Sequence, residues 1–348
     1  SNIDTSTWKS GAVEIENTGD KQIESVTFDL STAAMPDVVF GPLTDSGTPG
    51  NAVKDASGAG AFQTSYSQPH EGNPGDGYDQ LTFTYDDFQP GETFTVSLDT
   101  DALSVKGATP IQQGLEISGL ETTGTTVTIE YADGTTQTTS PFSDGSAAGA
   151  VATAKSDVPA APNLDVQGVT LDGGALDARH SAATVSSAQQ TVEISGEPGS
   201  TVRVLRFEGE LNLEGVSGYD LEPYEANRIL NFDEQTVTLD DNGEATVDVT
   251  LTNGSAAGGL NYIVAVTEDA QGDTGLTSDP IVLDYDPGAA QPSGGEATVA
   301  ITTTEAAFPE GKVTLQDATT YFEDSVQITN TGDQQIESLT IDKSTSLI

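Results

Sequence analysis

Apolar residues in this chain recur at every second position far more often than at every third or fourth. Val13-Glu-Ile15, Leu81-Thr-Phe-Thr-Tyr85, Phe94-Thr-Val-Ser-Leu98, Val127-Thr-Ile-Glu-Tyr131 and Thr201-Val-Arg-Val-Leu205 all alternate. That is the period of a strand with one face in a core and the other in water. Asn261–Val266 and Pro280–Leu283 read as further strands, and only Pro223–Leu230 suggests a short helix. The expected fold class is therefore all-β.

Turn chemistry separates these runs. Asn17-Thr-Gly-Asp20 precedes a second strand through Ile23, Val26 and Phe28, which predicts a β-hairpin. Asp133-Gly134 predicts another, and Asp240-Asp-Asn-Gly243, between TVTL and EATVDVTL, predicts the clearest hairpin of all. Gln89-Pro-Gly91 and Gly196-Glu-Pro-Gly199 supply a fixed φ followed by a glycine. Met35–Asp79, rich in Gly, Ser, Asp and Pro, reads as a long loop.

One stretch occurs twice. Residues 7–32 align without a gap on residues 320–345, a shift of 313 positions (320 − 7), with 15 identities in 26. The chain thus carries one repeat period and the opening of the next. Residues 1–140 form a first module whose N-terminal strands are expected from a neighbour or from preceding sequence. Residues 141–163 are a Ser/Ala/Gly/Pro linker, 164–286 a second module of about seven strands, 287–296 a second linker, and 297–348 the opening strands of the next module. Head and tail read as complementary fragments of one sandwich. They imply either a slice of a longer tandem array or subunits joined by strand donation.

Composition narrows the setting. Acidic residues outnumber basic ones 55 to 11, giving a net charge of -44, and the acids are scattered one or two at a time between strand-like runs. With lysine scarce and Ala, Gly and Thr abundant, the chain looks like a protein of a halophilic archaeon. At 1 M salt the Debye length is about 3 Å, so the self-repulsion is screened. A surface this acidic argues against nucleic acid or anionic membrane as partner. There is no cysteine, hence no disulfide or thiolate chemistry, and no apolar run long enough for a membrane span.

Two resemblances rest on these motifs. The order GEPGSTVRVL, NYIVAVTEDAQGDTG, SDPIVLDY (Gly196 to Tyr285) resembles the Ig-like modules of bacterial and archaeal surface proteins. Asn17-Thr-Gly19 with the downstream Gln89-Pro-Gly91, and Asn330-Thr-Gly332 in the second copy, resemble CARDB-like cell-adhesion sandwiches. The layout is similar to haloarchaeal surface and secreted proteins that alternate such modules. It implies tandem β-sandwich domains as beads on a string, an extracellular location at the cell surface, and no catalytic set.

Candidate chemistry is sparse. His70 and His180 have no partner at motif spacing and read as solvated loop residues, and no nucleophile elbow, phosphate loop or zinc motif occurs. Paired carboxylates are too frequent for any pair to stand out as catalytic. Asp99, Asp101, Asp284 and Asp286 are calcium candidates, since Asp-rich turns offer clustered oxygens to a hard cation. Tyr219 and Tyr224, with Tyr66 and Tyr78, lie in loop or insertion segments, and the first two are candidates for stacking on sugar rings. Asn253-Gly-Ser255 is an N-glycosylation sequon. The expected function is non-enzymatic: a repeat unit of a surface filament or stalk for adhesion or cell contact. Its partners would be copies of itself or adjacent repeats, with surface glycans as a further partner. The competing reading is a carbohydrate-binding accessory region of a secreted enzyme.

Overall fold

The strands that alternation predicts are present, but several of the turns between them carry the chain from one sheet to another. A computed structural model describes residues 7, 10–35, 38–41, 53–74, 77–102, 117–146, 149–171, 181–208, 232–253, 260–289, 297–301 and 326–330. No α-helix occurs among them. The chain divides into two compact units, Ser1–Ala289 and Ala290–Ile348.

The first layer pair uses β1 (Val13–Glu16), β2 (Ile23–Asp29), β3 (Val38–Phe40), β4 (Val53–Ser57), β5 (Phe62–Pro69), β6 (Tyr78–Phe88), β7 (Thr93–Leu98), β8 (Thr100–Ala102), β9 (Thr126–Tyr131) and β10 (Thr136–Thr139). One sheet runs β1-β7-β4, and the other runs β10-β9-β2-β6-β3-β8 with β5 also on β6. Their inward residues meet in an aromatic core. Phe94 of the small sheet lies 5.4 Å from Phe83 and 5.1 Å from Tyr85 of the large one. Edge-to-face rings of this kind add to the area they bury.

Two sequence expectations fail here. β1 does not pair with β2: Ile15 sits opposite Phe94 of β7, while Val26 sits opposite Phe83 of β6 and Ile129 of β9. The Asn17 turn is thus an arch between sheets, not a hairpin. The other correction concerns Met35–Asp79, which holds β3, β4 and β5 where a loop was expected. β5 is polar in sequence because most of it faces water. Two rings anchor it, Phe62 at 5.1 Å from Phe94 and Tyr66 at 5.8 Å from Tyr78. The Asp133-Gly134 hairpin does form, with Thr136 opposite Glu130 and Gly134 at φ +80°.

The described residues of segment 141–163 are tied to the strands beyond it. Within it β11 (Phe142–Ser143) pairs with β12 (Ala150–Val151). Pro159 accepts from the Leu276 N–H at 3.3 Å, and Lys155 is ion-paired to Asp269 and, at 3.1 Å, to Asp273. Arg203 clamps β11: its guanidinium stands 5.1 Å from the centre of the Phe142 ring and donates to the Ser143 carbonyl at 2.7 Å and to Glu234 at 2.6 Å.

The second layer pair uses β13 (Asn163–Val166), β14 (Ser181–Val185), β15 (Gln189–Ser195), β16 (Thr201–Glu208), β17 (Phe232–Thr238), β18 (Glu244–Thr250), β19 (Leu260–Glu268), β20 (Thr274–Thr277) and β21 (Ile281–Tyr285). The sheets are β13-β15-β18 and β14-β21-β19-β16-β17, with β20 on β19. Val192, Ile194, Val247, Val204, Ile263 and Leu283 form an aliphatic core between them. The opposite face of β16 and β19 is also buried. Leu205, Phe207, Tyr262 and Val264 there belong to the same continuous cluster as Phe83 and Phe94.

The Asp240 turn also departs from expectation. β17 pairs with β16 and β18 with β15, so the turn joins two sheets instead of closing a ladder. Alternation puts apolar residues inward in either arrangement, which is why it could not tell the two apart. In the second unit, β22 (Ala297–Ile301) pairs antiparallel with β23 (Val326–Asn330), with Val299 opposite Ile328.

Candidate functional site

The duplicated stretch has a definite structural job in its first copy. Asn17, 2% exposed, stands at the arch from β1 to β2 and ties it to the arch from β6 to β7. Its N–H donates to the Glu92 carbonyl at 2.9 Å, and its carbonyl accepts from the Gly91 N–H at 2.7 Å. Its side-chain amide donates to the carbonyls of Lys21 at 2.9 Å and Phe88 at 3.1 Å. Gly91 adopts φ +82°, which the tight turn after Pro90 requires. The Asn-Thr-Gly and Pro-Gly turns are therefore two halves of one staple.

β1 leaves that staple as the edge strand of its sheet. It pairs with β7 alone among the described residues. Asn17 bonds toward β7, and so by the alternation of an antiparallel ladder do Ile15 and Val13. The N–H groups of Glu14 and Glu16 and the Glu14 carbonyl therefore face the open side.

Next to that edge the larger sheet extends past the smaller one, and a groove of roughly 920 Å³ opens between them. Its floor carries Val26, Phe28, Val127, Ile129 and Tyr131 from β2 and β9, and its far wall is segment 149–156. At its mouth Lys21 pairs with Asp133 at 2.7 Å and lies 5.7 Å from the centre of the Tyr131 ring. The hydrogen bond from Lys21, then those from Thr135, hold the Asp133 carboxyl well below the usual range, while burial pushes the Tyr131 phenol up. The groove is apolar inside and charged at the rim.

The other candidate residues lie elsewhere. Asp284 and Asp286 flank Tyr285 at the end of β21. Burial, then the charge of Asp286, pushes the Asp284 carboxyl up. Asp286 uses its own carboxylate to cap the turn, accepting from the Gly288 N–H at 2.8 Å. Asp99 is half-buried, and Asp101 sits in β8 opposite Val39. Among the described residues no three carboxylates or histidines cluster to hold a metal ion. Asn253 is exposed just after β18, as a modified asparagine must be. Tyr219, Tyr224 and His180 lie outside the described residues.

Tyr66 and Tyr78 belong to strands β5 and β6, not to loops. His70 is likewise no solvated loop residue: its Nδ1 is 2.6 Å from Asp79, with the two side chains 16% and 13% exposed. The residues that sequence reasoning undervalued are Asn17 and Gly91, whose turn signals hid their mutual bonds.

No protein-family model matches the chain, and no curated protein matches it. No helix among the described residues is long and apolar enough to cross a membrane.

Proposed function

We propose that this chain is a non-enzymatic structural repeat of a haloarchaeal surface filament or stalk. In this reading it is built from tandem CARDB-like and Ig-like sandwiches joined head to tail through complementary strands, for adhesion or cell contact. One observation carries the reading. The two copies of the repeated stretch, β1 and β23, each pair with a different strand: among the described residues β1 has β7 on one side and an open edge on the other, while β23 has β22 beside it. An edge beside an apolar groove, in a chain that also carries a strand suited to that edge, is the chemistry of self-assembly by strand addition. A heterologous contact of this kind builds an open filament when its rotation does not close a ring.

The test is assembly of the purified chain in molar salt across a concentration series. Electron microscopy is expected to show unbranched filaments that lengthen with concentration; a chain that stays monomeric throughout sinks the reading. The denatured mass of the native polypeptide sorts the linkage. A value near 35.9 kDa means separate subunits, and one several times larger means a covalent array.

A further inference from the structure

The groove beside β1 has a specific occupant written into the same chain. In the second unit β22 and β23 pair with Ala297 opposite Asn330, Val299 opposite Ile328 and Ile301 opposite Val326. Residue 330 corresponds to Asn17, 328 to Ile15 and 326 to Val13 through the 313-residue shift of the repeat. Resting on the assembly reading above, we propose that the segment Ala297–Ile301 of a second copy of this chain adds to the open edge of β1. The pairing is antiparallel, with Ala297 opposite Asn17, Thr298 opposite Glu16, Val299 opposite Ile15, Ala300 opposite Glu14 and Ile301 opposite Val13.

Three features of the first unit suit that occupant. Among the described residues the backbone groups of the β1 edge that face away from β7 are those of Glu14 and Glu16, so the added strand bonds through Ala300 and Thr298. The register sets Val299 and Ile301 against Ile15 and Val13, the two half-buried residues of β1 that border the groove. The groove floor beneath is the apolar overhang of β2 and β9, which a further strand in the small sheet would cover.

One difference between the copies points the other way and sets a condition. β1 carries exposed Glu14 and Glu16 where β23 carries Gln327 and Thr329, and charge on an edge strand discourages pairing. The opposing residues, Ala300 and Thr298, are uncharged, so the two glutamates repel only each other and the acidic surroundings. At 1 M salt, with a Debye length of about 3 Å, that repulsion is screened. The edge is thus held open in dilute solution and accepts a strand in brine.

The chain has no cysteine, which makes single-cysteine pairing clean. One batch carries Glu14→Cys and another Ala300→Cys; the two are mixed in molar salt, oxidised and run without reductant. A mixed disulfide dimer is expected, because directly opposed strand residues lie about 5.5 Å apart, within disulfide reach. The off-register mixture of Glu16→Cys with Ala300→Cys should give roughly tenfold less, since diagonal neighbours are about 7–8 Å apart. Equal yields, or no mixed dimer, overturn the proposal. So does a chain bearing both cysteines that closes only on itself. The same samples viewed by microscopy separate the two claims. Filaments without the 14–300 disulfide leave the filament reading standing and remove this occupant. The disulfide in closed dimers, without filaments, keeps the occupant and removes the filament.

Discussion

The two layer pairs of the first unit solve one problem by different means. Each must hold two sheet-crossing arches together at one end. In the first pair a side chain does this, with the Asn17 amide reaching the Lys21 and Phe88 carbonyls while its backbone bonds Gly91 and Glu92. In the second pair the backbones themselves touch. The Gly196 N–H donates to the Gly243 carbonyl at 2.9 Å, and a Cβ on Gly243 would stand 2.2 Å from the Gly196 oxygen. The pairs also differ at their edges. The second supplies an edge strand to each sheet, β13 and β14, ahead of its glycine-clasped arches, whereas β1 alone precedes the Asn17 arch among the described residues. The lesson is that the staple holds β1 in its sheet although, among the described residues, it pairs on one side only.

The strongest challenge to this comparison is at the glycine contact. Gly243→Ala places a Cβ at φ +79° against backbone, and is expected to cost about 3 kcal/mol by strain and clash together, read by chemical denaturation in molar salt. Asn17→Ala removes the side-chain staple and strands two carbonyls, for a loss of about 2 kcal/mol. Asn17→Asp should be worse, because it sets a carboxylate against both. A silent Asn17→Ala would mean that the backbone bonds to Gly91 and Glu92 suffice, and the contrast between the two staples would collapse.

Much of this was legible in the chain. Strand positions came from alternation, the Asp133-Gly134 hairpin from its dipeptide, and the special standing of the Asn17 stretch from its repetition. Pairing was not legible. Asn17-Thr-Gly-Asp and Asp240-Asp-Asn-Gly look like hairpin turns, yet each hands the chain to the other sheet. Tight reversals and tight arches use the same short polar residues, and long-range partners decide between them. β5 escaped notice for a related reason: with Phe62 and Tyr66 as its ring anchors, its polar edge sequence matches a loop in composition. The groove needed three-dimensional placement of β9 over the end of the small sheet.

Smaller effects sharpen the contrast between an open and a closed edge. Glu14→Gln with Glu16→Gln copies the neutral character of β23, and should lower the salt concentration at which filaments appear by about twofold without changing their form. Light scattering against salt reads the midpoint; an unchanged midpoint would remove the glutamates as the gate. The smallest effect is at Asp284. Folding raises its pKa, first by burial and then through Asp286, so its charge opposes folding at neutral pH, and that opposition fades as pH falls through the folded value. Asp284→Asn is expected to stabilise the protein slightly at neutral pH and to leave stability unchanged in acid. Equal stabilisation at both would contradict the cause. Asp240 behaves oppositely. The Glu244 and Asn242 N–H groups hold its carboxyl low, so its contribution is present above its unfolded value and lost as pH falls through the folded one.

The strand that closes the second layer pair also has a mechanical meaning. β14 runs parallel to β21, Ser181 beside Ile281 through Val185 beside Tyr285. A pull along the chain draws the start of β14 one way and the end of β21 the other. Because the two run side by side in the same direction, such tension slides the strands past each other and strains the whole ladder together. An antiparallel hairpin pulled from its open end would instead unzip bond by bond. Under such tension this part of the molecule is loaded in shear.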